Sequence, residues 1–447
     1  MDVLALDARD SSCAFALAQA EQNEACLSGF VVPAGEQNGG TRYIVRALRP
    51  VPDAAYIERT PHYAQLHPDF CLDMANQSRH SGEALVLCHT HPGDSKLAYS
   101  TIDDRAEIEL RKYFDRRASK GAHFSLLFSS NGVIGRELGR TAGAKIQIVG
   151  DTLRTHSATT MNGVLASGRF SRQVLAFGAA AQKALMTLRI AIVGLGGTGS
   201  IVAHELAHLG VRDYLLIDRD YVEESNLNRL LGATPNDIGS EKATLIAREI
   251  RRINAAAACE AIVGDIVAED VAIRLATCEF IFLCTDSHAS RAIVNQLAYQ
   301  FFIPCIDVGV GIHSKKGLIT DIVGRVQMIS PGLPCLLCAG WIDSNLVRIE
   351  MMNPEERARD PYFVGEGVPQ PAVISLNGTV TSLAVTMFLA AVASFPARPR
   401  MLLYDAMRGT IRPTVMEPVA NCIVCSPAGA HGRGAAWPLP ARNRGND

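Results

Sequence analysis

Residues 189–209, which read RIAIVGLGGTGSIVAHELAHL, decide the fold of the second half of the chain. The apolar residues 189–193 predict a buried strand, and the apolar spacing that follows the glycines predicts a helix. Gly194, Gly196 and Gly199 occupy the turn between the two. Glycine lets the backbone approach a phosphate closely, and the helix N-terminus carries partial positive charge. The stretch therefore predicts a strand–turn–helix unit that binds the phosphates of a nucleotide.

Three segments further along the chain repeat this alternation. Asp213–Ile217 is a predicted strand, Lys242–Ile253 a charged helix, and Phe280–Cys284 another apolar strand. Strands that alternate with helices are typical of parallel sheets that carry helices on both faces. The predicted fold class of this half is therefore α/β, with a doubly wound, mostly parallel sheet.

Polar side chains follow the second and third of these strands. Asp218 ends the second strand, where a carboxylate that binds a ribose belongs. Candidates for contact with phosphates come next in the chain, namely Asn226, Arg229 and Lys242. Asp286 follows the third strand, where a carboxylate can hold Mg²⁺. A dehydrogenase has no obvious use for these cations, whereas an enzyme that handles ATP needs them to neutralise the triphosphate.

Two CxxC pairs lie in the same half of the chain. PCLLC supplies Cys335 and Cys338, and NCIVC supplies Cys422 and Cys425. Four thiolates complete a tetrahedral zinc site with no open position, which is the pattern of structural zinc. A redox-active CxxC is the alternative, but each pair would then need its own reactive environment.

From about Arg169 to Cys425 the sequence resembles the ThiF/MoeB/HesA family, the bacterial relatives of ubiquitin-activating enzymes. The resemblance implies a Rossmann-like domain that uses ATP and Mg²⁺ to adenylate the C-terminal glycine of a ubiquitin-like or sulfur-carrier protein. It also implies that Asp218 contacts the ribose and that Asp286 binds Mg²⁺. The residues that match the family's phosphate contacts are Asn226, Arg229 and Lys242. Leu230 departs from the glutamine that is usual in the family.

The motif RFSRQ places Arg172 where the family has an arginine that reaches into the ATP site of the partner subunit. The resemblance therefore implies a homodimer, with a helix predicted over residues 379–395 at or near its interface. Many ubiquitin-activating relatives also carry a nucleophilic cysteine after the first CxxC, but no cysteine lies between Cys338 and Cys422. The adenylate is then passed to an external thiol, an amine or a sulfur donor, or Cys284 beside Asp286 serves instead.

The first half of the chain contains a second set of possible zinc ligands. His89 and His91, in CHTHP, end an apolar strand and point to one face because they are two residues apart. Asp103 follows at the start of a predicted helix over Thr101–Arg117, for which Ser100 or Thr101 is the N-cap. Three protein ligands leave one position open for water.

Over about residues 10–140 this arrangement resembles the JAMM (MPN/Mov34) metalloprotease family. The resemblance implies an α+β, cytidine-deaminase-like domain in which zinc is held by His89, His91 and Asp103. In that family Glu24 would be the general base and Ser100 would stabilise the oxyanion, and the bond cleaved follows a ubiquitin-like C-terminus. The spacer between His91 and Ser100 is one residue longer than usual.

That departure leaves alternatives open. Asp104 is the fallback ligand and Glu58 the fallback base. A docking module without metal is the remaining interpretation of this half. For the whole chain, the leading hypothesis is a two-headed enzyme that trims and adenylates one carrier protein. The alternative is adenylation of a small molecule, a peptide or a tRNA base.

Composition excludes several classes of protein. The sequence has 43 Lys and Arg against 45 Asp and Glu and contains no basic block, which argues against nucleic-acid binding. The acidic start MDVLALDARD is unlike a signal peptide, and we assign the uncharged run 367–397 to a buried or interface helix. We therefore expect a cytoplasmic protein with no membrane span. The twelve cysteines are expected to be thiols and metal ligands.

The predicted domains are a metalloprotease-like domain over 1–145, a linker over 146–167 and an adenylation domain over 168–428. The Gly- and Pro-rich residues 429–447 are predicted to be a disordered tail.

Overall fold

The computed structural model describes residues 1–37, 39–92, 97–156, 168–315, 318–353, 356, 371–393 and 395–442. The described residues form two compact units. Unit 1 contains residues 1–156 together with 432–437, and unit 2 contains residues 168–431 together with 438–442.

Unit 1 combines ten strands with three helices among its described residues. In chain order they are β1 Val3–Asp7, α1 Ala8–Ala20, β2 Cys26–Gln37, β3 Gly40–Pro50, β4 Tyr56–Arg59, β5 Ala64–Leu66, α2 Pro68–Ser81, β6 Ala84–Thr90, α3 Thr101–Arg117, β7 Phe124–Ser129, β8 Gly132–Glu137, β9 Gly143–Val149 and β10 Leu153–His156.

The main sheet of unit 1 has the order β1-β3-β2-β6-β7-β8-β9-β10, and β1 also pairs with β9. Seven of its strands therefore close into a ring, while β4 and β5 form a separate hairpin. On one face α1 packs over a core that includes Leu6, Leu27 and Phe128. On the other face α2 and α3 pack through Met74 and Phe114 in a cluster that includes Leu85 of β6. The sheet thus carries helices on both faces.

The apolar strand predicted before His91 and the helix predicted over Thr101–Arg117 are present as β6 and α3, but the predicted linker begins too early. Residues 146–149 belong to β9, which pairs in parallel with β1, and residues 153–156 form β10. Ile146 and Ile148 are buried because alternate side chains of β9 face the core. The remainder of the predicted linker, 157–167, lies outside the described residues.

Unit 2 continues with eight strands and seven helices in its described part. They are α4 Ser171–Thr187, β11 Arg189–Val193, α5 Gly197–Leu209, β12 Asp213–Asp218, α6 Lys242–Ile253, β13 Ala258–Val263, α7 Glu269–Ala272, β14 Phe280–Leu283, α8 His288–Gln300, β15 Cys305–Lys315, β16 Leu318–Ile329, α9 Ser344–Met351, α10 Ile374–Val392, β17 Met401–Asp405 and β18 Thr410–Pro413.

The sheet of unit 2 confirms the predicted α/β class. Its order is β13-β12-β11-β14-β15-β16-β17-β18, in which the first five strands are parallel and the last three are antiparallel additions. The chain winds outward from β11 in both directions, through β12 on one side and β14 on the other. The crevice beyond the carboxyl ends of strands at such a switch point is where ligands bind in doubly wound sheets.

Helix α10 is, among the described residues, the one helix long and apolar enough to cross a membrane. It begins five residues before the helix expected over 379–395. Half of its most apolar stretch is buried in unit 2. The ring of Phe388 packs at 4.8 Å from that of Phe280 and at 5.4 Å from that of Phe282. These contacts are those of a core helix.

The described part of the tail, 429–442, differs from the expected disorder. The backbone of Gly434 lies against β2, because a Cβ added there would meet the carbonyl oxygen of Pro33 at 2.7 Å. Within unit 2, the N–H of Arg442 donates to the carbonyl of Val267 at 2.7 Å. Main-chain contacts order this segment despite its composition. Residues 443–447 lie outside the described part of the chain.

Candidate functional site

The glycine turn after β11 is sterically closed on one side and open on the other. Gly194 has φ +86°, and a Cβ there would lie 2.8 Å from the carbonyl oxygen of Cys284. A Cβ at Gly199 would lie 1.9 Å from the carbonyl oxygen of Gly194. No atom lies within 4 Å of the position that a Cβ of Gly196 would take. The turn therefore requires glycine at two positions and leaves space at the third for a ligand.

Asp218 connects the end of β12 to this turn. Its Oδ2 accepts a hydrogen bond from the N–H of Leu195 at 2.6 Å, and its Oδ1 accepts one from the N–H of Asp220 at 2.8 Å. Burial raises the pKa of Asp218. The carboxylate thus lies beside the glycine turn, at the place expected for a ribose contact.

The predicted phosphate-binding residues surround the same turn. The side-chain carbons of Arg229 lie 3.4 Å from the position of a Cβ on Gly197. Nζ of Lys242, the first residue of α6, lies 2.9 Å from Oδ2 of Asp220. The sequence analysis missed Asp220, although it stands two residues after Asp218. Both cations are held by protein groups near the turn, where they can turn toward a phosphate.

Asn226 and Arg172 have different surroundings. Asn226 is buried, and its Oδ1 accepts a hydrogen bond from the N–H of Glu223 at 3.3 Å. This amide therefore holds the loop that precedes Arg229. Arg172 is exposed on α4.

Asp286 is exposed just beyond β14, and the contact between Cys284 and Gly194 brings this loop against the glycine turn. The guanidinium of Arg291 donates to the carbonyl oxygens of Thr285 at 2.8 Å and Asp286 at 3.0 Å. The sequence analysis missed Arg291, which stands five residues after Asp286. Burial raises the pKa of the Cys284 thiol to about 12. Cys284 is therefore a protonated, unreactive thiol at neutral pH, which argues against it as the nucleophile.

The four cysteines of the CxxC pairs converge in unit 2, and we call them the closed cluster. Sγ of Cys335 lies 3.6 Å from Sγ of Cys338 and 3.6 Å from Sγ of Cys422. Sγ of Cys338 lies 3.5 Å from Sγ of Cys425. A tetrahedral site with Zn–S bonds of about 2.3 Å separates its sulfur atoms by about 3.8 Å. The thiols therefore fit a zinc ion with no position left for water.

His89, His91 and Asp103 converge in unit 1, and we call them the open cluster. Their ligand atoms all lie within 4.8 Å of one another. Nε2 of His89 lies 3.4 Å from Oδ1 of Asp103, and this buried nitrogen has no well-formed hydrogen bond among the described residues. Two imidazoles and one carboxylate with an open fourth position are a donor set that suits zinc.

Glu24 faces the open cluster from the start of β2. Its Oε1 lies 3.6 Å from Nε2 of His91, and its side chain is 5% exposed. Burial raises the pKa of Glu24 to about 7. A carboxylate with a pKa near neutrality is suited to general acid–base chemistry. Glu58, the fallback base, is exposed on β4.

The first turn of α3 orients Asp103. The side chain of Ser100 accepts a hydrogen bond from the N–H of Asp103 at 3.2 Å, and Oδ2 of Asp103 accepts one from the N–H of Ser100 at 2.6 Å. This capping box confirms Ser100 as the N-cap and leaves Oδ1 of Asp103 directed at His89. Burial opposes ionisation, but His89 and the Ser100 bonds hold the pKa of Asp103 well below its usual range.

A contact that sequence analysis missed fixes the same turn. The guanidinium of Arg136, on β8, lies 3.6 Å above the ring of Tyr99 and forms an ion pair with Asp104 at 2.8 Å. The hydroxyl of Tyr99 donates to the carbonyl of Ser125 at 3.0 Å. Asp104 is thus engaged by Arg136, which argues against it as the fallback ligand. The sequence offers no local signal for this contact, because its partners come from separate elements.

Comparison with known proteins identifies the second half of the chain. Residues 170–424 match the model of the ThiF family. The chain belongs to the ThiF family. The match begins at residue 170, so it does not extend into unit 1.

Individual relatives agree with this assignment. The sulfur carrier protein ThiS adenylyltransferase of Bacillus subtilis is 33% identical over 177 residues, which are 38% of this chain and 50% of that protein. The chain therefore spans about half the length of this relative. The molybdopterin-synthase adenylyltransferase of Escherichia coli is 27% identical over 58% of this chain and 95% of its own length. Among solved structures, E. coli MccB with ATP is 21% identical with a TM-score of 0.46, over 58% of this chain and 75% of MccB.

Proposed function

We propose that unit 2 of this ThiF-family protein adenylates the C-terminal glycine of a ubiquitin-like or sulfur-carrier protein with Mg²⁺ and ATP. The observation that carries the proposal is the grouping of Asp218, Arg229, Lys242 and the Asp286 loop around one glycine turn. Two of the relatives named above are adenylyltransferases by name, one of the sulfur carrier protein ThiS and one of molybdopterin synthase.

In this reaction a carboxylate oxygen of the glycine attacks the α-phosphorus of ATP. The bond between that phosphorus and the bridging oxygen breaks, and pyrophosphate leaves. Arg229 and Lys242 would balance the charge of the phosphates, and Asp218 would orient the ribose. Asp286 would hold the Mg²⁺ ion, which neutralises the leaving pyrophosphate.

We also propose that unit 1 is a zinc-dependent peptidase that cleaves after the same glycine. The support is the open cluster with Glu24 beside it and Ser100 at the cap of α3. Zinc bound there would act as a Lewis acid. Glu24 would accept a proton from the attacking water, and Ser100 would donate a hydrogen bond to the oxyanion.

The two activities are chemically connected. Cleavage after a glycine leaves the free carboxylate that adenylation consumes. No cysteine lies between Cys338 and Cys422, so the adenylate would pass to an external thiol, an amine or a sulfur donor. The closed cluster would hold a structural zinc.

ATP–pyrophosphate exchange tests the adenylation proposal. Purified protein is mixed with candidate carrier proteins that end in glycine, as wild type and as Asp286→Ala. We expect exchange that depends on the carrier and falls by at least about 100-fold in the variant. Asp213→Asn is the matched control, because Asp213 pairs with Arg189 at the amino end of β12 on the opposite edge of the same sheet.

ATP–pyrophosphate exchange in the absence of any carrier protein would contradict the proposal that a carrier protein is the substrate. Small molecules, peptides and tRNA would then be tested in the same assay.

Arg172 carries a proposal about assembly. Its exposure on α4 supports a homodimer in which it enters the partner subunit's ATP site. We expect each variant alone, Arg172→Ala or Asp286→Ala, to lose ATP–pyrophosphate exchange. A mixture of the two should regain this activity, because one of the two ATP sites in each mixed dimer is intact. Failure of mixing to restore activity, with subunit exchange verified by mass, would overturn the proposal.

A further inference from the structure

The loop between β14 and α8 carries Asp286, and a side chain of α8 forms hydrogen bonds to its backbone. Arg291, one turn into α8, reaches back so that its two terminal nitrogens donate to the carbonyl oxygens of Thr285 and Asp286, at 2.8 and 3.0 Å. Because a guanidinium is planar and rigid, this two-pronged contact fixes the direction of both peptide units. A lysine has one ammonium group and cannot reproduce the fork.

A buried carboxylate holds Arg291 in this pose. Nε of Arg291 donates to Oδ1 of Asp307 at 3.2 Å, and Arg325 donates to the other oxygen of Asp307. Asp307 is fully buried on β15, so its charge needs these two cations. Arg325 in turn lies 4.4 Å above the ring of Trp341. The guanidinium of Arg291 that contacts the Asp286 loop is therefore fixed in position by buried neighbours.

A carboxylate on α9 also binds this loop and the first turn of α8. Oε2 of Glu350, on α9, accepts hydrogen bonds from the hydroxyl of Ser287 at 2.6 Å and from the N–H of Ala289 at 2.7 Å. These donors lie at the N-terminus of α8, where N–H groups lack partners within the helix and negative charge is favoured. Nδ1 of His288 also accepts from the N–H of Asp343, so α9 and the residue before it contact this end of α8.

We propose that Arg291 and Glu350 are positioning residues that hold the loop in the orientation in which Asp286 binds Mg²⁺. The inference rests on the proposed adenylation function. Neither residue is assigned a contact with the nucleotide. The two contact different groups of the loop, Arg291 the carbonyl oxygens of Thr285 and Asp286, and Glu350 the donors that follow Asp286. The segment after the first CxxC thereby supports the metal site directly.

Nucleotide binding tests the inference without catalysis. The affinity of the full chain for α,β-methylene-ATP is measured by calorimetry, once with Mg²⁺ and once with EDTA. The ratio of the affinity in Mg²⁺ to the affinity in EDTA reports the contribution of the metal. Loss of a group that orients a metal ligand costs about 10- to 100-fold in metal affinity. We expect Arg291→Lys and Glu350→Ala to lower the ratio within that range, with affinity in EDTA unchanged. Glu350→Gln keeps an acceptor oxygen and should restore most of the ratio.

Arg189→Lys is the matched control. Arg189 is also a partly buried arginine that donates to two carboxylates, Asp213 and Glu260, but it lies at the amino edge of the same sheet. Its loss should lower the melting temperature and leave the ratio unchanged. Melting curves of all variants separate loss of fold from loss of positioning.

The outcomes are distinct. If the wild type binds the analogue equally well with Mg²⁺ and with EDTA, the proposed magnesium site itself fails, and the inference fails with it. If the wild type shows the Mg²⁺ effect and folded Arg291→Lys and Glu350→Ala keep it, the inference alone is overturned. If Glu350→Gln lowers the ratio as much as Glu350→Ala does, an acceptor oxygen at this position does not hold the loop, and the role proposed for Glu350 is overturned.

Discussion

The closed and open clusters differ in how many ligands they offer and in how the chain delivers them. The closed cluster joins two CxxC pairs from distant parts of unit 2 through four sulfur atoms. The open cluster takes its three ligands from one strand end and the following helix, with Glu24 alongside. A metal in the first would tie distant segments together, whereas a metal in the second would keep a position for a substrate. The number of protein ligands, and the distance along the chain between them, therefore distinguish a structural metal site from a catalytic one.

The largest effect is expected from Cys335→Ser. Removing one thiolate opens the closed cluster, and much of the metal-binding free energy that would stabilise unit 2 is lost. We expect one zinc fewer per chain by mass spectrometry of metals and a large drop in the melting temperature. Cys259→Ser, a half-buried free thiol of the same unit, is the control. If the Cys335→Ser variant keeps its zinc content and its melting temperature, the closed cluster is not a structural metal site, and this difference from the open cluster is contradicted.

Glu24→Gln should act on chemistry alone. The amide keeps the size of the side chain but cannot accept the proton, and loss of a general base costs about 100- to 10,000-fold in rate. Peptidase activity is measured on a carrier protein extended beyond its terminal glycine, together with zinc content, which should stay unchanged. Glu58→Gln is the control, because Glu58 is exposed on β4. Equal losses from both variants would assign the base role to neither.

Chelation compares the two clusters in one sample. Zinc in the open cluster would have a free coordination position and partly exposed ligands, so a chelator could reach it. We expect EDTA to remove one zinc per chain at least about tenfold faster than the second, with the melting temperature falling only in the second phase. A metal-binding dye reports release in real time. A single phase would show that the clusters do not differ in this way.

The smallest effect is expected from Ser100→Ala. Loss of the N-cap costs about 1 kcal/mol of stability. Because the capping box also orients Asp103, zinc affinity of the open cluster should fall while that of the closed cluster stays the same. Competition with a dye of known affinity measures both. Ser12→Ala, on the exposed side of α1, is the control and should change neither quantity.

Elements with strong local signals were predictable from the sequence. The limits of β11, α3 and α6 match the structure because apolar periodicity and a helix cap define them locally. The closed cluster was predictable because the spacing of its cysteines restricts the chemistry. The side chains predicted to be metal ligands in unit 1 also lie together, within 4.8 Å of one another, despite the longer spacer.

Other features depend on partners distant in the chain. Strand β9 reads GAKIQIV, which alternates over only a few residues, and its place in the sheet is set by its parallel pairing with β1. The contacts of Arg291, Asp307 and Glu350 join three elements, and no spacing rule connects such residues. The tail was predicted to be disordered because its composition is poor in large apolar residues, yet main-chain bonds hold its described part.

The return of residues 432–437 to unit 1 has a consequence for biosynthesis. Gly434 packs against Pro33 of β2, so unit 1 includes a segment that leaves the ribosome after residues 168–431 of unit 2. The nascent chain must therefore keep the surface of β2 uncovered throughout the synthesis of unit 2. A truncation after Ser426 would spare both CxxC pairs and still leave unit 1 without residues 432–437, so folding of unit 1 would depend on a segment at least 270 positions further along the chain.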